Sequence, residues 1–280
     1  MTAYLRPANV SQALDALAEG PAVIAAGCTD LFPATDRRGL EGRVLDITGI
    51  GDLAHVGAVA GGVRIGAAVT WSDVIKADLP PAFDMLKEAA REVGSVQIQN
   101  AGTLVGNICN ASPAADGVPC LLALDAEVEI ASAHGLRRVP LSGFITGVRQ
   151  TLLTPGEMVT GLFIPDGSLG GHSRFLKLGA RRYLVISIAM VAARVEVREG
   201  RVRQMAVSVG SCSAVATRLL ALEEALIGRP VMELSAPLDA NLIAPALSPI
   251  DDIRADAGYR LEAAAELVHR ALCDVAEGFA

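Results

Sequence analysis

The sequence predicts an α+β protein in two parts, a larger N-terminal region ending near residue 170 and a smaller C-terminal domain. Three observations lead there. Short apolar runs at residues 21–26, 43–47 and 63–69 read as strands and are interleaved with helical patterns rather than alternating regularly with them. Residues 166–171 (DGSLGG) combine Asp, Ser and three glycines, the composition of a linker. Beyond them the pattern changes: residues 187–198 and 201–210 form two long strands around Glu199-Gly200, followed by helices over 217–227 and 256–276.

In chain order, Ser11 is expected to cap a helix that places Leu14, Leu17 and Ala18 on one face and stops at Gly20. Residues 21–26 read as a short buried strand, 30–38 as a helical turn broken by Pro33, and 43–47 as another strand. Gly49-Ile50-Gly51-Asp52-Leu53-Ala54 matches the G-x-G-x-x-A dinucleotide fingerprint. The strand expected at 63–69, after the Gly61-Gly62 turn, leaves no room for the helix that fingerprint requires. Thr70 to Asp73 start a helix, and residues 81–93 form a clearer one with Phe83, Leu86, Ala90 and Val93 at helical spacing. Strands follow at 127–131 and 137–140, joined at His134-Gly135, and at 158–164. In the last helix Leu261, Ala265, Val268, Leu272 and Val275 form one stripe.

Composition narrows the function. A chain of 280 residues buries roughly 75% of its unfolded surface and needs no disulfide staples. The net charge of −7 argues against binding nucleic acid or an anionic membrane, both of which want a basic face. Cys28, Cys109, Cys120, Cys212 and Cys273 include no C-x-x-C pair, so no zinc or iron–sulfur ligand set is visible, and the four histidines are dispersed. Scattered cysteines in odd number fit free thiols in a reducing compartment. The opening MTAYLRPANVSQALDAL lacks the basic segment and apolar core of a signal peptide, and the longest apolar run, 183–193, is about half a membrane span. A cytoplasmic protein without membrane insertion is expected.

Two small-residue loops carry the chemistry. Ala26-Gly27-Cys28-Thr29-Asp30-Leu31 follows the apolar run Ala22-Val23-Ile24. The stretch 100–124 holds Gly102, Gly106 and Asn107, read as a sharp turn with exposed N–H groups, then the small-residue turn 111–116 and an apolar helix over 119–124. Loops of this kind offer backbone N–H groups to anions. Two of them suit the two phosphates of one diphosphate cofactor.

These residues, in this order, resemble the FAD-binding subunit of the molybdenum hydroxylases, the xanthine dehydrogenase and carbon monoxide dehydrogenase family. That family's first loop, A-G-G-T/H-D/S-L, matches residues 26–31. Its second, G-T/S-x-G-G-N-I-x-x-A-S-P-x-x-D-x-x-P, matches residues 102–119. Further matches are Arg138 to Leu141, Phe144, the turn 147–151, Thr154 to Glu157, Phe175-Leu176-Lys177, Arg181-Arg182 and Ser248 to Ala255, so the resemblance spans the chain. It implies a two-part FAD-binding domain of vanillyl-alcohol-oxidase (PCMH) type over residues 1–170, with subdomains of about 1–55 and 56–170, and a C-terminal α+β domain over 171–280.

The resemblance also implies an oxidoreductase subunit that passes electrons. A large partner chain would carry molybdopterin, a small one two [2Fe–2S] clusters, and the whole would form a dimer of heterotrimers. FAD would be held by Ala26, Gly27, Cys28, Thr29, Asp30 and Leu31 and by Gly102, Thr103, Val105, Gly106, Asn107 and Asn110. Asp116 would accept from the flavin or ribityl region, Lys177 would lie near the ring and Tyr183 would flank it. From the residues alone, Asp116 fits equally a helix N-cap, Lys177 and the arginine pair a solvated face, and Tyr183 the core. Cys28 and Val105 stand where the family usually has glycine; at a positive φ each would cost roughly 1–3 kcal/mol. Two rival readings stay open. A structural subunit with weakened flavin affinity would be colourless, and a stand-alone flavin oxidase would reduce its flavin without partner chains.

Overall fold

A computed structural model describes residues 3–35 and 39–279. The chain opens with a parallel three-stranded sheet of β1 (Ala3–Leu5), β2 (Val23–Ala25) and β3 (Arg43–Asp46), in the order β1-β3-β2. Helix α1 (Val10–Ala18) begins two residues earlier than Ser11 suggests: Asn9 is the cap, its side chain accepting from the Gln12 N–H. Ala13 and Leu17 are the buried residues of α1. Strand β2 is less buried than expected, with Val23 39% exposed. Residues 36–38 of the turn expected over 30–38 lie outside the described residues; its first part is a turn in which Phe32 N–H donates to Cys28 O and Ala34 N–H to Asp30 O. The glycine fingerprint at 49–54 forms one 3₁₀ turn, Gly51–Leu53, and leads straight into a strand, so it opens no Rossmann helix.

That strand, β4 (Val56–Val59), begins an antiparallel five-stranded sheet with β5 (Gly62–Gly66), β6 (Glu127–Ser132), β7 (Gly135–Pro140) and, after the small hairpin β8 (Ile145–Gly147) and β9 (Gln150–Thr151), β10 (Met158–Pro165). Its order is β4-β5-β10-β6-β7. Period-2 alternation puts Val63, Ile65, Val128, Ile130, Leu162 and Ile164 into the main core. The opposite face carries Arg64, Glu129 and Arg138, joined by ion pairs of 2.6 and 2.8 Å, with Arg138 stacked 3.8 Å from the centroid of the Phe163 ring.

Helices cover the apolar face: α2 (Trp71–Lys76), α3 (Asp84–Glu92), α4 (Val96–Ala101), α5 (Leu104–Asn110), α6 (Gly117–Ala123) and the single turn α7 (Leu141–Phe144). A capping box starts α2, in which Thr70 and Asp73 satisfy each other's backbone N–H. The region around Gly102 to Asn107 is more helical than its glycines suggest. Gly106 and Asn107 lie inside α5, and the one break is at Gly102-Thr103.

The C-terminal sheet contains β11 (His172–Leu178), β12 (Ala189–Arg198), β13 (Arg201–Gly210) and β14 (Thr217–Arg218), antiparallel in that order. Glu199 and Gly200, at φ of 54° and 72°, form the tight turn that two positive φ values specify. The sheet is buried on both faces, which is why β12 reads as an unbroken apolar run. Phe175, Met190, Ala192 and Ala206 face the N-terminal core, while Val191, Val195, Val207 and Val209 face the last helix. That helix, after the short α8 (Leu220–Leu226), is α9 (Ala257–Glu277), capped by Asp256. Its buried stripe is Ala264, Val268, Ala271, Leu272 and Val275; Leu261 and Ala265 flank it half-buried. The helix expected over 217–227 is shorter, because Thr217 and Arg218 pair with β13.

Segment 166–171 is fastened rather than loose. Ser168 Oγ donates to Asp125 Oδ2 at 2.7 Å, and Gly171 runs at φ +89° so close to β12 that a Cβ would lie 2.1 Å from Val195 O.

Candidate functional site

The first loop leaves β2 and turns at Gly27. A Cβ on Gly27 would lie 2.1 Å from Ala101 O and 2.6 Å from Gly102 Cα, so the backbone of this loop rests directly on the end of α4. Only glycine allows that approach. Thr29 completes the contact: a Cβ on Gly102 would meet its Oγ1 at 3.2 Å. The two loops that the sequence sets some 70 residues apart are thus one structure.

Within it, the backbone N–H groups of Gly27, Cys28, Thr29, Asp30 and Leu31 donate to no acceptor among the described residues. The same holds for Thr103 and for Val105 in the first turn of α5. Unpaired backbone donors gathered in this way need an outside acceptor. Beside the loop lies a cavity of about 490 Å³ bordered by Ala25, Ala26, Cys28, Phe32 and Asp46. Tyr4 Oη donates to the Asp46 carboxylate, which also accepts from the N–H and hydroxyl of Thr48 at 2.9 and 2.7 Å.

The two departures from glycine differ in consequence. Cys28 has φ +56°, the left-handed region. Its Sγ donates to Ala26 O at 3.5 Å, and burial together with the Asp46 charge pushes the thiol up, against a reactive thiolate. Val105 sits in a regular helical turn with its side chain 4% exposed in the main core, so no backbone strain arises there.

Thr103 caps α5, its Oγ1 accepting from Gly106 N–H at 3.0 Å. It is held by a backbone bridge to Thr70, in which Trp71 N–H donates to Gly102 O and Leu104 N–H to Val69 O, both at 3.1 Å. Asn107 Oδ1 accepts from Gly117 N–H at 3.3 Å, which ties α5 to the start of α6 and leaves the Asn107 NH₂ as its donor. Asn110 is engaged by Arg149, whose Nη1 donates to its Oδ1 and, at 3.3 Å, to its carbonyl.

Asp116 precedes α6 but makes no capping bond. Instead its buried carboxylate accepts from Lys177 Nζ and from Ser187 Oγ, each at 2.6 Å. The Asp116 and Lys177 side chains are each 7% exposed. Burial pushes the Asp116 carboxyl up, opposed by the Lys177 charge and the two hydrogen bonds. This pair joins residues 61 positions apart and replaces both alternatives left open by the sequence, the N-cap and the solvated lysine.

Tyr183 is not packed in the core. It is 56% exposed, with the Arg182 guanidinium 5.2 Å from its ring centroid, in a segment where Arg181 Nε donates to Leu184 O at 3.1 Å. A groove of about 610 Å³ runs from Lys177 past Gly179 to Arg181 and Arg182. Sequence reasoning missed Ser187 and Arg149: a lone serine before a strand and a lone arginine in a turn give no local signal.

The donor set fits FAD. Seven unpaired backbone N–H groups on two touching segments match a diphosphate, and a lysine and a carboxylate lie further along the same succession of contacts through Asn107 and Gly117.

Comparison with known proteins agrees. Residues 1–167 match the family model of the FAD binding domain in molybdopterin dehydrogenase, and residues 174–275 that of the CO dehydrogenase flavoprotein C-terminal domain. The chain is 29% identical over 253 residues to the glyceraldehyde dehydrogenase medium chain of Sulfolobus acidocaldarius, covering 90% of this chain and 89% of that one. It is 31% identical to the nicotinate dehydrogenase FAD-subunit of Eubacterium barkeri, over 78% and 77% of the two chains. The carbon monoxide dehydrogenase structure from Hydrogenophaga pseudoflava superposes with a TM-score of 0.89 at 27% identity, covering 99% and 97%. By its fold, its paired loops and a family model that covers more than half its length, the chain belongs to the FAD-binding flavoprotein subunits of the molybdenum hydroxylases.

Proposed function

We propose that this chain is the electron-relay subunit of a cytoplasmic complex built as a dimer of heterotrimers, with a large molybdopterin-binding chain and a small [2Fe–2S] chain. The observation that carries the reading is the close contact of the Gly27 loop with Gly102, which gathers unpaired N–H donors from both segments. The chemistry supplied by the bound flavin is electron relay, from clusters on the small chain to an external acceptor.

Each residue has a part in this. The N–H groups of residues 27–31, 103 and 105 bind the diphosphate. Ala26 and Cys28 border the cavity next to it, and Gly102 and Gly106 permit the close backbone approach and the cap. Thr29 and the Asn107 NH₂ add side-chain donors. Asn110, held by Arg149, shapes the end of α5 rather than binding directly. Lys177, fixed by Asp116, would offer its ammonium N–H groups to the flavin ring, and Tyr183 would supply an aromatic flank from its exposed segment. Residues 1–170 act as the FAD-binding unit and 171–280 as the domain that delivers Lys177 and Ser187.

The substrate site lies on a partner chain. Relatives of near-equal similarity are named for glyceraldehyde, nicotinate and nicotine, a range that argues for a substrate site outside the flavoprotein chain. Affinity purification of the native complex through a tag on this chain tests the reading. FAD, molybdenum and iron should co-purify with two further chains. A chain that purifies alone and reduces its flavin with a small substrate would instead establish a stand-alone oxidase.

A further inference from the structure

Helix α9 carries a buried arginine that lies outside the paired loops and the Asp116–Lys177 pair. Arg260 lies one turn into α9 with its side chain 3% exposed. Its Nη1 donates to the carbonyls of Ile188 at 2.6 Å and Ser211 at 3.0 Å, and its Nη2 donates to Asp252 Oδ1 at 2.7 Å. Asp252 is itself fixed, accepting from the backbone N–H of Arg254 at 2.8 Å and from the Arg254 guanidinium at 2.7 Å.

Both carbonyls lead to Asp116. Ile188 follows Ser187, whose hydroxyl donates to Asp116, and the Ile188 N–H donates at 2.7 Å to Leu178 O, next to Lys177. Ser211, held at φ +61°, donates its N–H at 3.1 Å to Pro113 O in the turn that ends at Asp116. One guanidinium therefore reaches the Asp116–Lys177 pair from two sides. A buried charge is costly and an apolar residue would serve helix packing as well, so an arginine here is explained by its directional bonds. Arg260 Nε and Ser211 Oγ are also the two buried side-chain polar atoms left without a partner among the described residues, a cost tolerated at this junction.

We propose that Arg260, oriented by Asp252, is a positioning residue of the flavin site, holding Ser187 and the 111–116 turn so that Asp116 fixes Lys177. This inference rests on the FAD reading of the site. Arg260→Lys keeps the charge and loses the fork; Ser187→Ala removes one arm of the relay. In the full chain, FAD dissociation constants from fluorescence titration, the flavin midpoint potential and the melting temperature are measured for wild type, each single variant and the double variant. Arg260→Lys is expected to weaken FAD about tenfold, the loss of roughly one charged hydrogen bond, and to shift the potential in the same direction as Ser187→Ala. The double variant should be weaker by less than the product of the two singles. If Arg260→Lys does not fold, Asp252→Ala, which leaves the arginine in place but removes the acceptor that orients it, carries the same expectation. A lowered melting temperature with unchanged affinity and potential, or effects that multiply fully, would overturn the proposal. Failure of the wild type to bind FAD would overturn the FAD reading itself.

Discussion

The Gly27–Cys28 loop and the Thr103–Val105 segment each replace one glycine of a two-loop pattern, and the structure treats the two replacements in opposite ways. In the first loop the chain leaves a strand with five consecutive N–H groups unpaired among the described residues, and Cys28 takes φ +56°. In the second, the unpaired N–H groups belong to the first turn of a helix, so Val105 keeps helical angles and adds a buried side chain. A motif position therefore says which backbone atoms are needed, and the local element decides whether a side chain there costs anything.

The sharpest way to break this pairing is Gly27→Ala. The added Cβ would sit 2.1 Å from Ala101 O, so the loops must part, and FAD affinity should fall by at least about a hundredfold in a fluorescence titration. Lys177→Met tests what lies beyond the loops. Leaving Asp116 buried without its cation should cost about 3 kcal/mol in urea denaturation.

The comparison itself predicts opposite signs for one substitution. Val105→Gly removes a buried side chain and weakens a helix, and should destabilise by about 2 kcal/mol. Cys28→Gly relieves a left-handed backbone and should stabilise by about 1 kcal/mol, seen as a higher melting temperature. Equal signs would refute the distinction.

The smallest effect is acid sensitivity. Glu157, bonded to Arg137, and Asp252, bonded to Arg254 and Arg260, have carboxyls lowered to about 2 from ordinary values of 4.5 and 3.8. The stability they contribute is complete above those ordinary values and is lost as pH falls toward about 2. Urea midpoints between about pH 6 and pH 3 should decline less steeply in Glu157→Gln than in wild type.

Much of this was legible in the sequence where the signal is local. Thr70 with Asp73, Asp256 before the last helix and Glu199-Gly200 between two strands each name their structure through short-range chemistry. Ser11 misled because Asn9, two residues earlier, is an equally good cap. Helix α5 was hidden because Gly102 and Gly106 read as turn formers, although its helical turn is anchored by Thr103 and by Val69 from another segment. Strand β11 escaped notice because Arg174 and Lys177 interrupt its apolar pattern, each to meet an acid contributed by the N-terminal region, Glu88 and Asp116. The site shows the same divide. The loops were visible as composition, but the pairing of Asp116 with Lys177 and Ser187, and the role of Arg260, depend on tertiary contacts that no window of sequence contains.

The measurement that bears most directly on the account is an absorbance spectrum of the purified full chain, followed by acid release of its chromophore and titration of any empty protein with FAD. Flavin bands with FAD released, or saturable uptake of added FAD, is the predicted result. A colourless chain that takes up no FAD would show that the unpaired N–H groups of the two touching loops do not form a diphosphate site, and would leave the protein as a structural member of its complex.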